Sequence, residues 1–111
     1  MHELATTKNV IKLCESYAAK EGFQRVTEIR LKVGRLSGIV PACLSDFFPY
    51  AAAGTACENA GLVFDEIPAQ IRCEACGYEG ETETFDCPQC GSAAIRITAG
   101  REFFVDSISV E

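Results

Sequence analysis

Four cysteines form two pairs with the spacing of a metal-binding ribbon. Cys73 and Cys76 are separated by two residues, ten residues follow, and Cys87 and Cys90 repeat the pair. Each pair can form a tight turn, and two such turns can offer four thiolates at tetrahedral angles to one ion. Because four thiolates leave no open coordination position, the pattern predicts a structural Zn(II) site rather than a catalytic one.

Other interpretations of this cysteine module, residues 73–90, remain open. An iron site of the rubredoxin type uses similar pairs, although the surrounding chain lacks the aromatic core expected around such an iron. A thioredoxin-like dithiol is less well supported, because two pairs at ribbon spacing indicate one shared ion. A ribbon that recognises nucleic acid would have to tolerate five acidic residues in the module: Glu74, Glu79, Glu81, Glu83 and Asp86.

His2 is the only histidine, and it lies beside the amine of Met1. A terminal histidine is often solvated and without a role. Here the Met1 amine, the deprotonated backbone nitrogen of His2 and its imidazole can reach one ion through fused chelate rings, and the backbone nitrogen of Glu3 can complete a square. Such an all-nitrogen set suits Ni(II) or Cu(II) rather than tetrahedral zinc. Because amide deprotonation is costly, binding should be pH-dependent and only moderately tight, as metal delivery requires.

The remaining cysteines are Cys14, Cys43 and Cys57. We predict that Cys14 is a small core residue, that Cys43 and Cys57 are incidental, and that the three do not form a second metal site. Seven cysteines in a chain whose first residues lack a secretory signal pattern indicate a reducing compartment rather than a disulfide framework. The predicted location is the cytoplasm.

Composition restricts the class of protein further. The chain has 111 residues, of which 48% are hydrophobic and 23% charged, the balance of one globular domain with a small appendage. A formal net charge of −6 opposes binding to a phosphate backbone. No apolar run reaches the ~20 residues of a membrane span. Since the sequence offers no constellation of nucleophile and base, we expect no enzymatic activity.

Apolar spacing predicts two helices. The first ends at Gly22, and its apolar face consists of Leu4, Ile11, Cys14, Tyr17 and Ala18. The second extends from near Pro41 to Ala53, with bulk from Leu44, Phe47, Phe48 and Tyr50 and a disturbance at Pro49. The run Thr55-Ala56-Cys57-Glu58 has the form of a capping box and predicts a short helical turn.

Alternating segments predict the strands. Ile29, Leu31 and Val33 alternate with charged residues over 26–33, as in a half-buried strand. Further strands are expected at 62–67, 95–97 and 103–110. The predicted fold class is α+β: a small mixed sheet of about three strands with two helices, plus an inserted zinc-ribbon-like module. Residues 1–68 and 99–111 would form the nickel-binding domain, and 69–98 the zinc-binding module between adjacent strands.

Several motifs together resemble the HypA/HybF family of nickel metallochaperones over the whole chain. They are Met1-His2-Glu3-Leu4, Lys32-Val33-Gly34-Arg35-Leu36, Gly54-Thr55-Ala56, Cys73-Glu74-Ala75-Cys76-Gly77 and Cys87-Pro88-Gln89-Cys90-Gly91. The cysteine motif alone is common, but its combination with the leading Met-His-Glu is specific.

The resemblance implies delivery of nickel during maturation of nickel–iron hydrogenase. Implied partners are a HypB-type GTPase, the hydrogenase large-subunit precursor and, in some bacteria, urease maturation proteins, with no nucleic acid or membrane; the protein would be a monomer or homodimer. It assigns transferable Ni(II) to Met1, His2 and Glu3, the last also implicated in partner docking. It assigns structural Zn(II) to the four module cysteines. Some members carry a further histidine in the zinc module, and this chain has none there.

Overall fold

The computed structural model describes residues 3–111 and confirms the α+β class, with two helices and two small sheets. The elements are α1 Glu3–Lys20, β1 Val26–Gly34, α2 Pro41–Ala52, β2 Gly61–Ile67, β3 Gln70–Cys73, β4 Glu79–Glu81, β5 Ile95–Ala99 and β6 Phe103–Val110. Neither helix in this part of the chain combines the length and apolar character needed to cross a bilayer.

The first sheet has the order β2-β1-β6, with β1 parallel to β2 and antiparallel to β6. Ile29, Leu31 and Val33 are buried in a core shared with both helices, as their alternation predicted. On the opposite face, Arg30 and Lys32 approach the carboxylate of Asp65 at 3.2 and 3.5 Å. The hydrogen bond from Arg30 lowers the pKa of Asp65. One face of the sheet is therefore apolar and the other polar.

The buried face of α1 differs from the predicted one. Its buried residues are Thr7, Val10, Ile11, Cys14 and Ala18, whereas Leu4 and Tyr17 are exposed. Thr7 can be buried because its hydroxyl donates a hydrogen bond to the Glu3 carbonyl at 2.6 Å. The predicted and observed faces share Ile11, Cys14 and Ala18, and the prediction omitted Thr7 because it counted only apolar residues.

Helix α2 accommodates Pro49 within its length. Pro41 occupies the first turn, where its missing N–H costs nothing, and Pro49 is exposed, so its ring does not disturb the core. Leu44, Phe48 and Ala52 form the buried face at four-residue steps. Phe47 and Tyr50, which we expected to supply core bulk, are exposed.

The predicted helical turn after α2 is wrong. Residues 53–59 form successive turns, in which the Thr55 hydroxyl accepts from the Cys57 amide at 3.1 Å. The Glu58 carboxylate accepts from the Gly54 amide at 3.1 Å, one residue before the position that a capping box requires. These bonds carry the Cys57 side chain into the core, where it is fully buried. Cys57 is therefore a core residue, not an incidental one.

Replacing Thr55 with alanine should destabilise the protein by about 1–2 kcal/mol. The Thr55 hydroxyl accepts from the Cys57 amide and donates to the Ala52 carbonyl at 2.7 Å, and both bonds would be lost. Urea denaturation followed by circular dichroism measures the change. Ser45→Ala, at an exposed position of α2, is the control and should change stability by less than about 0.5 kcal/mol. An equal effect of both variants would contradict this role.

A second sheet, with the order β4-β3-β5, contains two strands that the sequence did not reveal, β3 and β4. Strand β3 pairs antiparallel with both neighbours. We expected adjacent strands to flank this insertion, but β2 and β6 lie on opposite sides of β1. The ends of the insertion meet instead because Gln70 pairs with Ala99.

The β1–α2 loop joins the two sheets. The amides of Gly34 and Leu36 donate to Glu102 and Gly100 at 2.6 and 2.7 Å, and the Arg35 amide donates to Ile67 at 2.9 Å. The molecule measures 53 × 25 × 16 Å with a radius of gyration of 17.4 Å. About 13 Å is typical of a compact domain of this length. The chain is thus elongated, and a short loop secures both connections to the second sheet.

Candidate metal centre

The structure brings the sulfur atoms of Cys73, Cys76, Cys87 and Cys90 within 4.8 Å of one another. The Cys73–Cys90 and Cys76–Cys87 sulfur pairs are each 3.6 Å apart. A tetrahedral ion with metal–sulfur bonds of about 2.3 Å requires sulfur separations of about 3.8 Å. The four residues therefore fit a tetrahedral metal ion.

Each cysteine pair lies in a turn built in the same way. The Gly77 amide donates to the Cys73 carbonyl at 3.0 Å, and the Gly91 amide donates to the Cys87 carbonyl at 2.9 Å. Both glycines have positive φ, 80° and 77°, a conformation that glycine adopts at no steric cost. The local sequence of each turn thus orients its two sulfur atoms before the turns meet.

Backbone amides prepare two of the thiols for ionisation. The Cys76 amide donates to the Cys73 sulfur at 3.4 Å and lowers the pKa of Cys73. Burial opposes ionisation of Cys87, but the amides of Cys90 and Gln89 donate to its sulfur and lower its pKa to about 6. Hydrogen bonds to the charged form favour it. One thiol in each turn therefore ionises more readily than an isolated cysteine.

The other two thiols keep their protons. The Ser92 amide favours the Cys90 thiolate, but the Cys76 thiol and burial prevail and raise the pKa of Cys90 to about 12. Cys76 likewise has a raised pKa, since burial and the Cys87 thiol outweigh the Tyr78 amide. Four adjacent thiolates repel one another in the absence of a cation. A divalent ion would offset that repulsion, displace the remaining protons and hold all four sulfur atoms.

Two arginines beside the cysteines were not singled out in the sequence. Arg72 and Arg96 lie opposite each other on β3 and β5. Arg96 forms an ion pair with Glu74 at 3.2 Å, and Arg72 forms one with Glu79 at 3.8 Å. Two of the five acidic residues are therefore balanced by arginine, and the surface next to the cysteines is mixed in charge. The pairing of β3 with β5 places the two arginines side by side. The sequence did not reveal that arrangement, because β3 was not recognised as a strand.

The predicted nickel residues Met1 and His2 lie outside the described residues. Glu3 is described as the first residue of α1, and its carbonyl accepts the hydrogen bond from Thr7. Among the other cysteines, Cys14 and Cys57 are both buried in the core. The hydrogen bond that the Cys14 thiol donates to Cys57, followed by burial, raises the pKa of Cys14 and keeps it a neutral thiol.

Comparison with known protein families identifies the family to which this chain belongs. The family model described as hydrogenase/urease nickel incorporation, metallochaperone, hypA matches residues 1–110. The chain belongs to the HypA family. The hydrogenase maturation factor HypA of Roseiflexus sp. (strain RS-1) is 40% identical over 114 residues, which cover 100% of this chain and 93% of that protein. The HypA factor of Chlorobium luteolum is 37% identical over 113 residues, covering 100% and 97%.

Solved HypA structures share the fold. The solution structure of the Ni metallochaperone HypA from Helicobacter pylori superimposes with a TM-score of 0.70 at 22% identity, covering 99% of this chain and 97% of that one. A second HypA solution structure gives a TM-score of 0.74 at 22% identity, covering 100% and 97%. The sequence resemblance to the HypA/HybF family is thus confirmed. HypA is a metallochaperone family for hydrogenase maturation, and this member carries a four-cysteine cluster whose geometry fits a metal ion.

Proposed function

We propose that this HypA-family chain binds Ni(II) at its N-terminus and delivers it during maturation of nickel–iron hydrogenase. The observation that carries the proposal is the Met1-His2-Glu3 sequence, whose last residue is the first residue of α1, in a chain matched to the nickel-incorporation family from residue 1 to 110. The chain acts as a carrier and not as an enzyme, because the proposed metal is cargo.

The proposed nickel ligands are the Met1 amine, the backbone nitrogen and imidazole of His2, and the backbone nitrogen of Glu3. The start of α1 supports this set. The first amides of a helix have no intrahelical acceptor, so the Glu3 nitrogen is not committed to a helical hydrogen bond. The Thr7 hydroxyl binds the Glu3 carbonyl and holds the first turn in place.

The four clustered cysteines are proposed to hold structural Zn(II), which stays with the protein while nickel is transferred. The distances between their sulfur atoms suit a closed tetrahedral thiolate site, and such sites leave no position for substrate. In this proposal, residues 69–98 form the zinc-binding module, and residues 1–68 with 99–111 form the nickel-binding domain.

Family membership also supports a set of proposed partners. Nickel would pass between this protein, a HypB-type GTPase and the hydrogenase large-subunit precursor, with urease maturation proteins as further recipients. These exchanges would take place in the cytoplasm, with the protein as a monomer or homodimer. The proposal includes neither nucleic acid nor a membrane.

Adding Gly-Ser before Met1 tests the nickel site. The extension replaces the proposed amine ligand with a peptide nitrogen, and we expect nickel affinity, measured by isothermal titration calorimetry, to fall at least about tenfold. Zinc content and circular dichroism should stay unchanged, because the cysteine cluster is far along the chain. His2→Ala should have the same effect.

Gly-Ser added after Glu111 is the matched control and should leave nickel binding unaltered. If the N-terminal extension also leaves nickel affinity unaltered, the ion binds elsewhere and this assignment is wrong. If nickel affinity falls only together with zinc content, the cysteines hold the exchangeable ion, which equally overturns the proposal.

A further inference from the structure

Helix α2 and the residue before it carry a row of apolar side chains that the described part of the chain leaves partly or largely exposed. Val40, Cys43, Phe47 and Tyr50 recur at steps of three and four residues along one side of the helix, and we call them the α2 stripe. Val40 is 49% exposed, Phe47 39% and Tyr50 82%. A surface helix normally presents polar residues on the side away from the core. The α2 stripe departs from that pattern.

The α2 stripe is distinct from the face that packs on the sheet. The buried residues Leu44, Phe48 and Ala52 already satisfy the core contact of this helix. The spacing of the stripe, i, i+3, i+7 and i+10, is the spacing of a seam between two packed helices. Its geometry therefore suits a second helix lying along α2.

The chain segment that carries the α2 stripe has acidic but no basic residues. Asp46 is the only charged residue of α2, and the chain contains no Lys or Arg between Arg35 and Arg72. Beyond the last turn, the Glu58 carboxylate binds the Gly54 amide at 3.1 Å. That last turn has no basic residue to balance the negative end of the helix dipole. Tyr50 thus lies in a last turn that contains no cationic side chain.

We propose that the α2 stripe docks an amphipathic helix of another protein, one whose apolar face is flanked by Lys or Arg. The apolar face would cover Phe47 and Tyr50, as in other helix-binding surfaces. A cation at its edge would meet the Tyr50 ring and the negative end of α2, where both the aromatic quadrupole and the helix dipole attract it. This inference is independent of the proposed nickel site.

Charge also disfavours a second copy of this chain as the occupant. Two copies would bring Asp46 and Glu58 of each protomer into one interface, and each chain carries a net charge of −6. Like charges in an interface suppress association, whereas complementary charges steer it. We therefore expect the basic residues that contact this surface to belong to a different protein.

Two synthetic helical peptides test the proposal on the intact, metal-loaded protein. Both have the same leucine and alanine face, flanked by arginine in one and by glutamate in the other. We expect the arginine peptide to bind, with amide NMR shifts concentrated at residues 40–54, and the glutamate peptide to bind at least about tenfold more weakly. Tyr50→Ser should lower the affinity for the arginine peptide by at least about tenfold.

Asp46→Lys leaves the apolar residues in place, and it should also lower the affinity for the arginine peptide. Tyr17→Ser, which removes an exposed tyrosine from α1, is the matched control and should bind like the unaltered protein. Equal binding of both peptides, or shifts concentrated outside residues 40–54, would overturn the proposal. So would a dimer in sedimentation that Tyr50→Ser dissociates, because a second copy would then cover the stripe. Nickel and zinc content report separately on the proposed function.

Discussion

Cys76→Ser is expected to abolish metal binding at the four-cysteine site and to unfold the second sheet around it. Serine offers no thiolate, and the remaining sulfur atoms cannot complete a tetrahedral site. Structural zinc contributes about 10–16 kcal/mol to folding in small zinc-binding peptides. The short strands β3, β4 and β5 bury few large side chains, among which only Ile71 is nearly inaccessible, so packing cannot replace the ion.

Elemental analysis and amide hydrogen exchange measure these two effects. We expect zinc to fall from one ion per chain to near zero and residues 70–99 to lose protection, while β1 keeps its protection in the separate core. Cys43→Ser removes a thiol that lies outside the cluster and should retain zinc. A Cys76→Ser protein that keeps both its zinc and its protection would show that the cluster does not hold the second sheet together.

Gly34→Ala should lower the free energy of unfolding of the part of the protein that contains the first sheet by about 3 kcal/mol or more. This is a large effect for the addition of one methyl group. A Cβ at this position would overlap the Gly100 carbonyl and come within 2.8 Å of the Glu102 nitrogen. These are backbone atoms, held by the bonds from Gly34 and Leu36 to the same segment, so they cannot move aside cheaply. Relief of the clash would break the junction between the two sheets.

Gly61→Ala is the matched control, because it also lies at a strand end but has only the Thr27 carbonyl at 3.9 Å from the added Cβ. We expect it to change the free energy of unfolding by less than about 1 kcal/mol. Urea denaturation, monitored by circular dichroism, gives both values. Comparable stabilities for the two variants would mean that the close approach at Gly34 does not constrain the fold.

Predictions from the sequence succeeded where a few neighbouring residues determine the outcome. The Cys-x-x-Cys-Gly turns are local, since each forms its hydrogen bonds within about five residues, and their glycines have the positive φ that the position implies. Strand β1 was recognised because burial on one face produces an alternation that one segment shows by itself. The HypA resemblance rested on such local motifs and was confirmed over almost the whole chain.

Predictions failed where the outcome depends on a distant partner. Strand β4 has the sequence Glu-Gly-Glu, which has no strand character, and it is extended because β3 supplies its hydrogen bonds. Cys57 looked incidental, yet the Thr55 and Glu58 bonds turn it into the core beside α1. Tyr50 looked like a core residue, yet the helix packs through Leu44 and Phe48 instead.

The amino-acid sequence by itself determined the family, the α+β class and the four cysteines suited to a metal, because ligand type and ligand spacing are chemical properties of short segments. Only the tertiary structure decided that the two cysteine turns face each other at 3.6 Å, that Gly34 lies against the Gly100–Glu102 segment, and that α2 leaves Tyr50 uncovered. Each of these depends on how elements far apart in the chain pack, and packing energy is shared among many residues rather than encoded in one.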